Sequence, residues 1–425
     1  MNRRMFLQNL LAGGAALAVA PNASAAFLDG VLFNPCGNAL PQHLAEHPIV
    51  KAAWEGIEPA RCWDTHVHIA GIGDSASGIF ISPDMNSLCH PIQYAQHKFY
   101  LNAACTVKGR VDQSYIERMQ HLVVEFNDVA FSGNGKTARQ SRAKLMLFAF
   151  EQAYDEAGNA QPAQTAFYVP NDYARQVAQS APEYFEWVCS IHPYRRDAVA
   201  ALEDAVAHGA RAVKWLPSVM GIDPASPKCD AFYRSLAHLN VPLICHAGEE
   251  KAVVGMDFHD ANNPLKMRRA MDAGVRVVMA HCASLGEDID LDKGMHGPHV
   301  PSIELFSRLM ADTNYQQTLF GDIAGIVMRN RSIATLRSII ENQDWHGRLL
   351  NGSDYPLPGV LPLFTTGKLV WAGLLDKAAV PVLDEIQLYN PLLFDFVLKR
   401  QLRSGTQKFP ADIFHTRDFF LPGKK

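Results

Sequence analysis

From residue 185 onward the chain alternates between short apolar runs and amphipathic stretches of helical period, and this alternation most narrows the folds open to it. Residues 185–192 read as a strand, and 197–208 as a helix with Val199, Leu202 and Val206 on one face and Gly209 as its stop. Further strands are expected at 210–216, 241–246, 276–282, 318–323 and 349–354, with helices at 230–239, 264–274, 303–311 and 333–342 between them. Counting back, 144–150 is an earlier strand and 61–69 the first. Strands so uniformly apolar lie in a parallel sheet covered on both faces. Eight of them favour a closed (β/α)8 TIM barrel over an open doubly wound sheet. No glycine fingerprint of the dinucleotide-binding type follows the first strand.

The 425 residues, 48% of them apolar and 19% charged, can fill a barrel of about 250 residues with long insertions. A net charge of −4 and the lack of any basic stripe exclude a nucleic-acid partner and leave a small-molecule substrate; a homo-oligomer is compatible with the composition. Residues 1–25 are expected to be a twin-arginine signal peptide. Arg3-Arg4-Met5-Phe6-Leu7 precedes a weakly apolar run, and Ala23-Ser24-Ala25 offers a small-residue cleavage site. That run is too short for a stable membrane span, so a periplasmic or secreted protein is expected. Residues 26–60 form an extension packing on the barrel, and 61–425 the barrel with a C-terminal helical extension. The connections 70–109 and 152–184 leave the C-terminal ends of strands one and two, where they can wall an active site. Of eight cysteines none makes a Cys-x-x-Cys zinc pattern; Cys36–Cys89 and Cys89–Cys105 are conceivable bridges.

The sharpest chemical signal is Asp64-Thr65-His66-Val67-His68. Alternate side chains of a strand face one way, so His66 and His68 both point into the barrel, where two imidazoles can hold a divalent ion. His246 ends the fifth strand, His281 the sixth and Asp354 the eighth. Burying such a set without a metal or hydrogen-bond partners is costly. Lys214 ends the fourth strand beside Trp215, which can stack on a planar substrate, and His192 ends the third. Glu249 and Glu250 follow His246 and can orient it, and Asp322 ends the seventh strand. Nitrogen-rich ligation suits zinc and leaves manganese, iron or cobalt open.

As a set, His-x-His on strand one, lysine on four, histidines on five and six and aspartate on eight resembles the amidohydrolase superfamily. In looser detail it resembles the amidohydrolase-2 branch of lactonases, decarboxylases and related hydrolases. The resemblance runs from about residue 58 to the Asn390-Pro391 region. It implies that His66, His68, His246 and Asp354 bind the main metal. His281 either joins a second metal or donates a hydrogen bond to the substrate carbonyl. The place of Lys214 is similar to that of a lysine that dihydroorotases carboxylate to bridge two metals; an unmodified lysine binding an anionic substrate and one snorkelling to the rim are the alternatives. The activity so implied is hydrolysis of an ester, lactone or amide through a metal-activated water, with Asp354 as proton shuttle. A non-oxidative decarboxylase on the same scaffold is the alternative, and a non-catalytic metal-binding periplasmic protein a third.

Overall fold

The computed structural model describes residues 31–131, 142–253 and 258–421; the arginine pair and the small-residue cleavage site lie outside the described residues. Eight strands carry the fold: β1 (Trp63–His68), β2 (Lys144–Phe148), β3 (Phe185–Val188), β4 (Val213–Trp215), β5 (Leu243–His246), β6 (Val277–Ala280), β7 (Leu319–Asp322) and β8 (Leu349–Leu350). Strands β1–β3 pair in parallel as one sheet, and β4–β8 as a second, each in sequence order. The eight do not make one continuous ladder. At each of the two seams an isolated parallel bridge joins the sheets, Cys189 with Val213 and Val67 with Tyr355. The second seam also holds Asp354 N–H on the His66 carbonyl and His68 N–H on the Tyr355 carbonyl, both at 2.9 Å. This is the (β/α)8 strand order, but the expected closed barrel is not formed as one sheet: two parallel sheets are joined by isolated bridges at two places.

Side-chain alternation divides the apolar residues into two layers. Met146, Phe148, Val188, Ala212, Ile244 and Val278 pack together inside the ring. Their neighbours Leu147, Trp187, Leu243, Cys245, Val277 and Met279 face the helices outside. On β1 the register against β2 shifts between Asp64 and Val67. Trp63 belongs to the inner layer and Val67 to the outer, so this irregularity re-aims the strand end and turns His66 and His68 inward.

The outer layer comprises α1 (Pro91–Ala103) and α2 (Val111–Phe131) after β1, α3 (Asn171–Ser180) after β2, α4 (Ala198–Ala207), α5 (Asp230–Leu239), α6 (Arg268–Asp272), α7 (Ser302–Ala311) and α8 (Ile333–Glu341). Beyond β8 come α9 (Val380–Tyr389) and α10 (Pro391–Gln401). The expected 70–109 connection thus contains a helix, and the 21-residue α2 is a further element. Tyr115, Met119, Leu122 and Val123 give α2 its fully buried face. Residues 31–60 pack on α2 and α10, with the Trp54 ring 4.9 Å from Phe126 and 4.4 Å from Phe396. Neither conceived disulfide forms: Cys36 pairs with Cys105, and Cys89 is exposed and free. Among the described residues no helix is long and apolar enough to cross a membrane.

Candidate metal centre

Six strand ends at the C-terminal face converge. From β1, His68 Nε2 lies 3.3 Å and His66 Nε2 3.6 Å from Asp354 Oδ1. Asp354 follows β8 with a left-handed φ of 65°. An L-residue adopts that conformation at a cost, and the seam bond from its N–H to His66 holds it there. Gly352 permits the approach, since a Cβ at that position would lie 2.6 Å from His66 Cβ. Past β6, His281, Cys282 and Ala283 all have positive φ, and His281 N–H is fixed on Asp322 Oδ1 at 2.8 Å.

Asp322, at the end of β7, organises the histidines. Its Oδ1 also accepts from Ala324 N–H at 3.0 Å, and its Oδ2 meets His66 Nδ1 at 2.9 Å. With the hydrogen on Nδ1, His66 presents the Nε2 lone pair to the cavity, the arrangement a metal ligand needs. His281 Nδ1 lies 2.8 Å from the Ala324 carbonyl, which only accepts, so its hydrogen is on Nδ1 as well. Burial holds His281 well below the usual histidine range, hence neutral. Neutral His281 with its hydrogen on Nδ1 offers a lone pair at Nε2, the form in which it could join a metal. Burial likewise lowers His66, reinforced by the Lys214 charge. Burial alone would raise Asp354, but His281, His66 and His68 outweigh it and hold the carboxyl well below the usual range.

Lys214 is buried, with Nζ 3.3 Å from His66 Nε2 and 4.9 Å from the Phe148 ring centre; desolvation lowers its pKa. His246 Nδ1 is 3.4 Å from Glu250 Oε2, while its Nε2 is buried without a partner. Of the two glutamates, Glu250 brings its carboxylate to His246, and Glu249 its backbone. Arg331 is buried as well. Its Nε donates to the Gly325 carbonyl at 2.9 Å and one terminal nitrogen to Ser284 Oγ at 2.7 Å. Burial lowers its pKa, and the Asp354, Asp322 and Glu250 charges act against that.

These groups line a cavity of about 230 Å³, which His66, His68, Lys214, His246, His281 and Asp354 all reach. Two expected substrate contacts do not. Trp215 stands on the outer face of β4, stacked on Phe232 with its Nε1–H on the Ile191 carbonyl, because it neighbours the inward Lys214. His192 packs between Tyr154 and Tyr194 and bonds the Met220 carbonyl at 3.1 Å. Sequence reasoning missed Arg331, whose one signal is a charge in the loop leaving β7.

The donors fit a divalent ion. His66, His68 and Asp354 form a group whose ligand atoms all lie within 4.8 Å of one another, and His66, His281 and Asp322 form a second. The orphaned Nε2 of His246 is a further donor with no protein partner. Imidazoles with one carboxylate are ligands of the kind zinc takes.

The sequence profile of the family described as amidohydrolase matches residues 63–372. No curated protein matches the sequence significantly. Among solved structures, the chain is similar to an uncharacterized TIM-barrel protein from Bordetella bronchiseptica, at 14% identity over 76% of this chain and 94% of the other, TM-score 0.45. It is also similar to a probable 2-pyrone-4,6-dicarboxylic acid hydrolase from Acinetobacter baumannii, at 14% identity over 78% and 97%, TM-score 0.41. A third is 5-carboxyvanillate decarboxylase from Sphingomonas paucimobilis, at 11% identity over 80% and 96%, TM-score 0.37. Likenesses at this level bear on neither the reaction nor the substrate of this chain.

Proposed function

The chain belongs to the amidohydrolase family, and from that premise we propose that it is a metal-dependent hydrolase cleaving an ester, lactone or amide bond. The observation that carries this reading is the convergence of His66 Nε2, His68 Nε2 and Asp354 Oδ1 at the foot of a cavity, with the first tautomer fixed by Asp322. His66, His68 and Asp354 would hold the ion, zinc by their chemistry, with His246 and His281 beside them. When bound, a divalent ion supplies Lewis acidity, polarising a carbonyl oxygen and bringing a water's pKa toward neutrality.

The protein's own groups do the rest. Asp354, ionised and rigidly placed, takes the proton of the attacking water and returns it to the leaving oxygen or nitrogen as the acyl bond breaks. Asp322 keeps His66 in the required tautomer. Glu250 orients His246. In its free-amine form Lys214 donates to His66 Nε2; carboxylated, it would supply an anionic oxygen there instead, and intact mass distinguishes the two.

Decarboxylation is the second reading, and Arg331 favours it, being a buried cation at the cavity whose hydrogen bonds go to the Gly325 carbonyl and Ser284 rather than to a carboxylate. The two separate in heavy-oxygen water. Label entering the product carboxyl supports hydrolysis, whereas carbon dioxide released with no label taken up from solvent overturns it.

A further inference from the structure

The cavity is far more apolar than its floor. Above the histidines, its walls include Ile69 and Ile81 after β1, Phe150 and Phe167 after β2, and Leu357 and Val360 after β8. Part of the polar rim is engaged internally, while Asn330 Oδ1 on the same wall has no partner. Glu249 pairs with Lys251 at 2.8 Å, Gln96 Nε2 donates to the Lys251 carbonyl at 2.7 Å, and Tyr100 hydroxyl to the Ala252 carbonyl at 3.1 Å. A substrate that enters meets charge at the reacting end and mostly hydrocarbon along the walls.

One wall comes from outside the barrel. Leu32 lines the cavity next to Phe99 and Tyr100 of α1. The segment bearing Leu32 is bound to α1 by several devices. Phe33 stacks on Phe99 at 5.4 Å, Asn34 N–H bonds Asn102 Oδ1 at 2.8 Å, and Asn102 Nδ2 returns a bond to the Asn34 carbonyl at 3.2 Å. The Cys36–Cys105 disulfide then ties the segment to the residues just after α1. Leu32 packs against the core and, by the same placement, forms part of the cavity wall.

We infer that the substrate carries an extended apolar body beyond its scissile group, and that the strap at residues 31–36, stapled by Cys36–Cys105, sets how much of that body the cavity holds. The inference rests on the hydrolase reading for the scissile group alone. The volume of about 230 Å³ lies below the roughly 300–1,000 Å³ of sites for drug-sized ligands, so the body is a single ring or a medium-length chain.

The test uses the metal-loaded full chain with 4-nitrophenyl esters of straight-chain acids from acetate to octanoate. kcat/KM should rise about fourfold per added methylene until the cavity is full, the factor expected for each buried CH2. Measurable turnover with a flat or falling profile overturns the inference. If no ester turns over, the hydrolase reading is at fault, and calorimetric titration with the sodium salts of the same acids decides the inference. Kd tightening about fourfold per methylene supports it, and a constant Kd overturns it. The strap is tested by Leu32→Ala and, separately, by reducing the folded holoprotein with a phosphine. Each should lower kcat/KM for the longest good substrate, or weaken binding of its acid, by about tenfold relative to the shortest. An unchanged length dependence in both removes the strap from the inference.

Discussion

Replacing Asp322 by Asn exchanges one atom for another of similar size at a fully buried position, and its consequence follows from three hydrogen bonds. Oδ1 accepts from the N–H groups of His281 and Ala324 at 2.8 and 3.0 Å. The amide oxygen must therefore stay there, which places the NH2 against His66 Nδ1, now 2.9 Å from Oδ2. Two donors cannot face each other, so His66 either loses the bond or moves its hydrogen to Nε2. That nitrogen faces Asp354 Oδ1, and once protonated it cannot coordinate an ion. A buried hydrogen bond to a charged group is worth about 1.5–3 kcal/mol. Spent on tautomer choice, this predicts a loss of metal affinity of about tenfold to a hundredfold, the scale seen for outer partners of metal-binding histidines. The assay is metal Kd by chelator competition, with thermal unfolding of both metal-free proteins as control. Both backbone donors keep their acceptor, so the apo variant should unfold within a few degrees of the apo wild type. A metal Kd within about twofold of wild type would refute the role given to Asp322.

Four other outcomes are expected. His66→Ala and His68→Ala should each abolish stoichiometric metal in the purified protein, read by atomic emission; retention in both sinks the ligand assignment. Asp354→Asn at full metal occupancy should lose at least about a hundredfold in turnover, the scale for a general base, and near-normal turnover would pass the proton role to another group. Burial pushes the Asp395 carboxyl up to about 7 despite Lys399 Nζ at 2.6 Å, against about 4 in the unfolded chain. Its contribution to stability is thus fully present below about pH 4 and is lost as pH rises through about 7; urea midpoints of Asp395→Asn/Lys399→Met should decline less over that window than wild type, and an identical decline contradicts the assignment. Replacing Arg3 and Arg4 by Lys should leave unprocessed precursor in the cytoplasm, seen by fractionation, if the twin-arginine pair directs export.

Residues whose function follows from strand position were legible in the sequence. His66, His68, Lys214, His246 and Asp354 all sit where short apolar strands end, and barrel strands end at one face. The same alternation carried information against Trp215: if Lys214 points inward, its neighbour points to the helices. His192 lies beyond the last paired residue of β3, so strand parity does not govern its side chain. Asp322 is placed by its strand end, though its bond to His66 is not; Arg331 acts through hydrogen bonds to Gly325 and Ser284, and no spacing announces it. The Cys36–Cys105 pairing depends on α1, which brings its C-terminal end to the N-terminal strap.

The seam between β8 and β1 explains why folding and ligand geometry are inseparable here. The bond from Asp354 N–H to the His66 carbonyl bridges the two sheets and also sets the spacing of two candidate ligands. Asp64 Oδ1 spans the same seam, accepting Ser353 N–H at 2.8 Å and His66 N–H at 3.2 Å. From behind, Lys399 donates to the Gly352 carbonyl at 2.6 Å while paired with Asp395, fixing β8 to α10. Regular ladder pairing gives out at this seam, since a strand carrying the left-handed Asp354 cannot continue a β ladder. Scattered backbone bonds and the Asp64 carboxylate stand in for the ladder, and they hold the Asp354 carboxylate where a regular strand would have aimed it elsewhere. The interruption of the ring and the placement of Asp354 against His66 and His68 are one feature of the backbone.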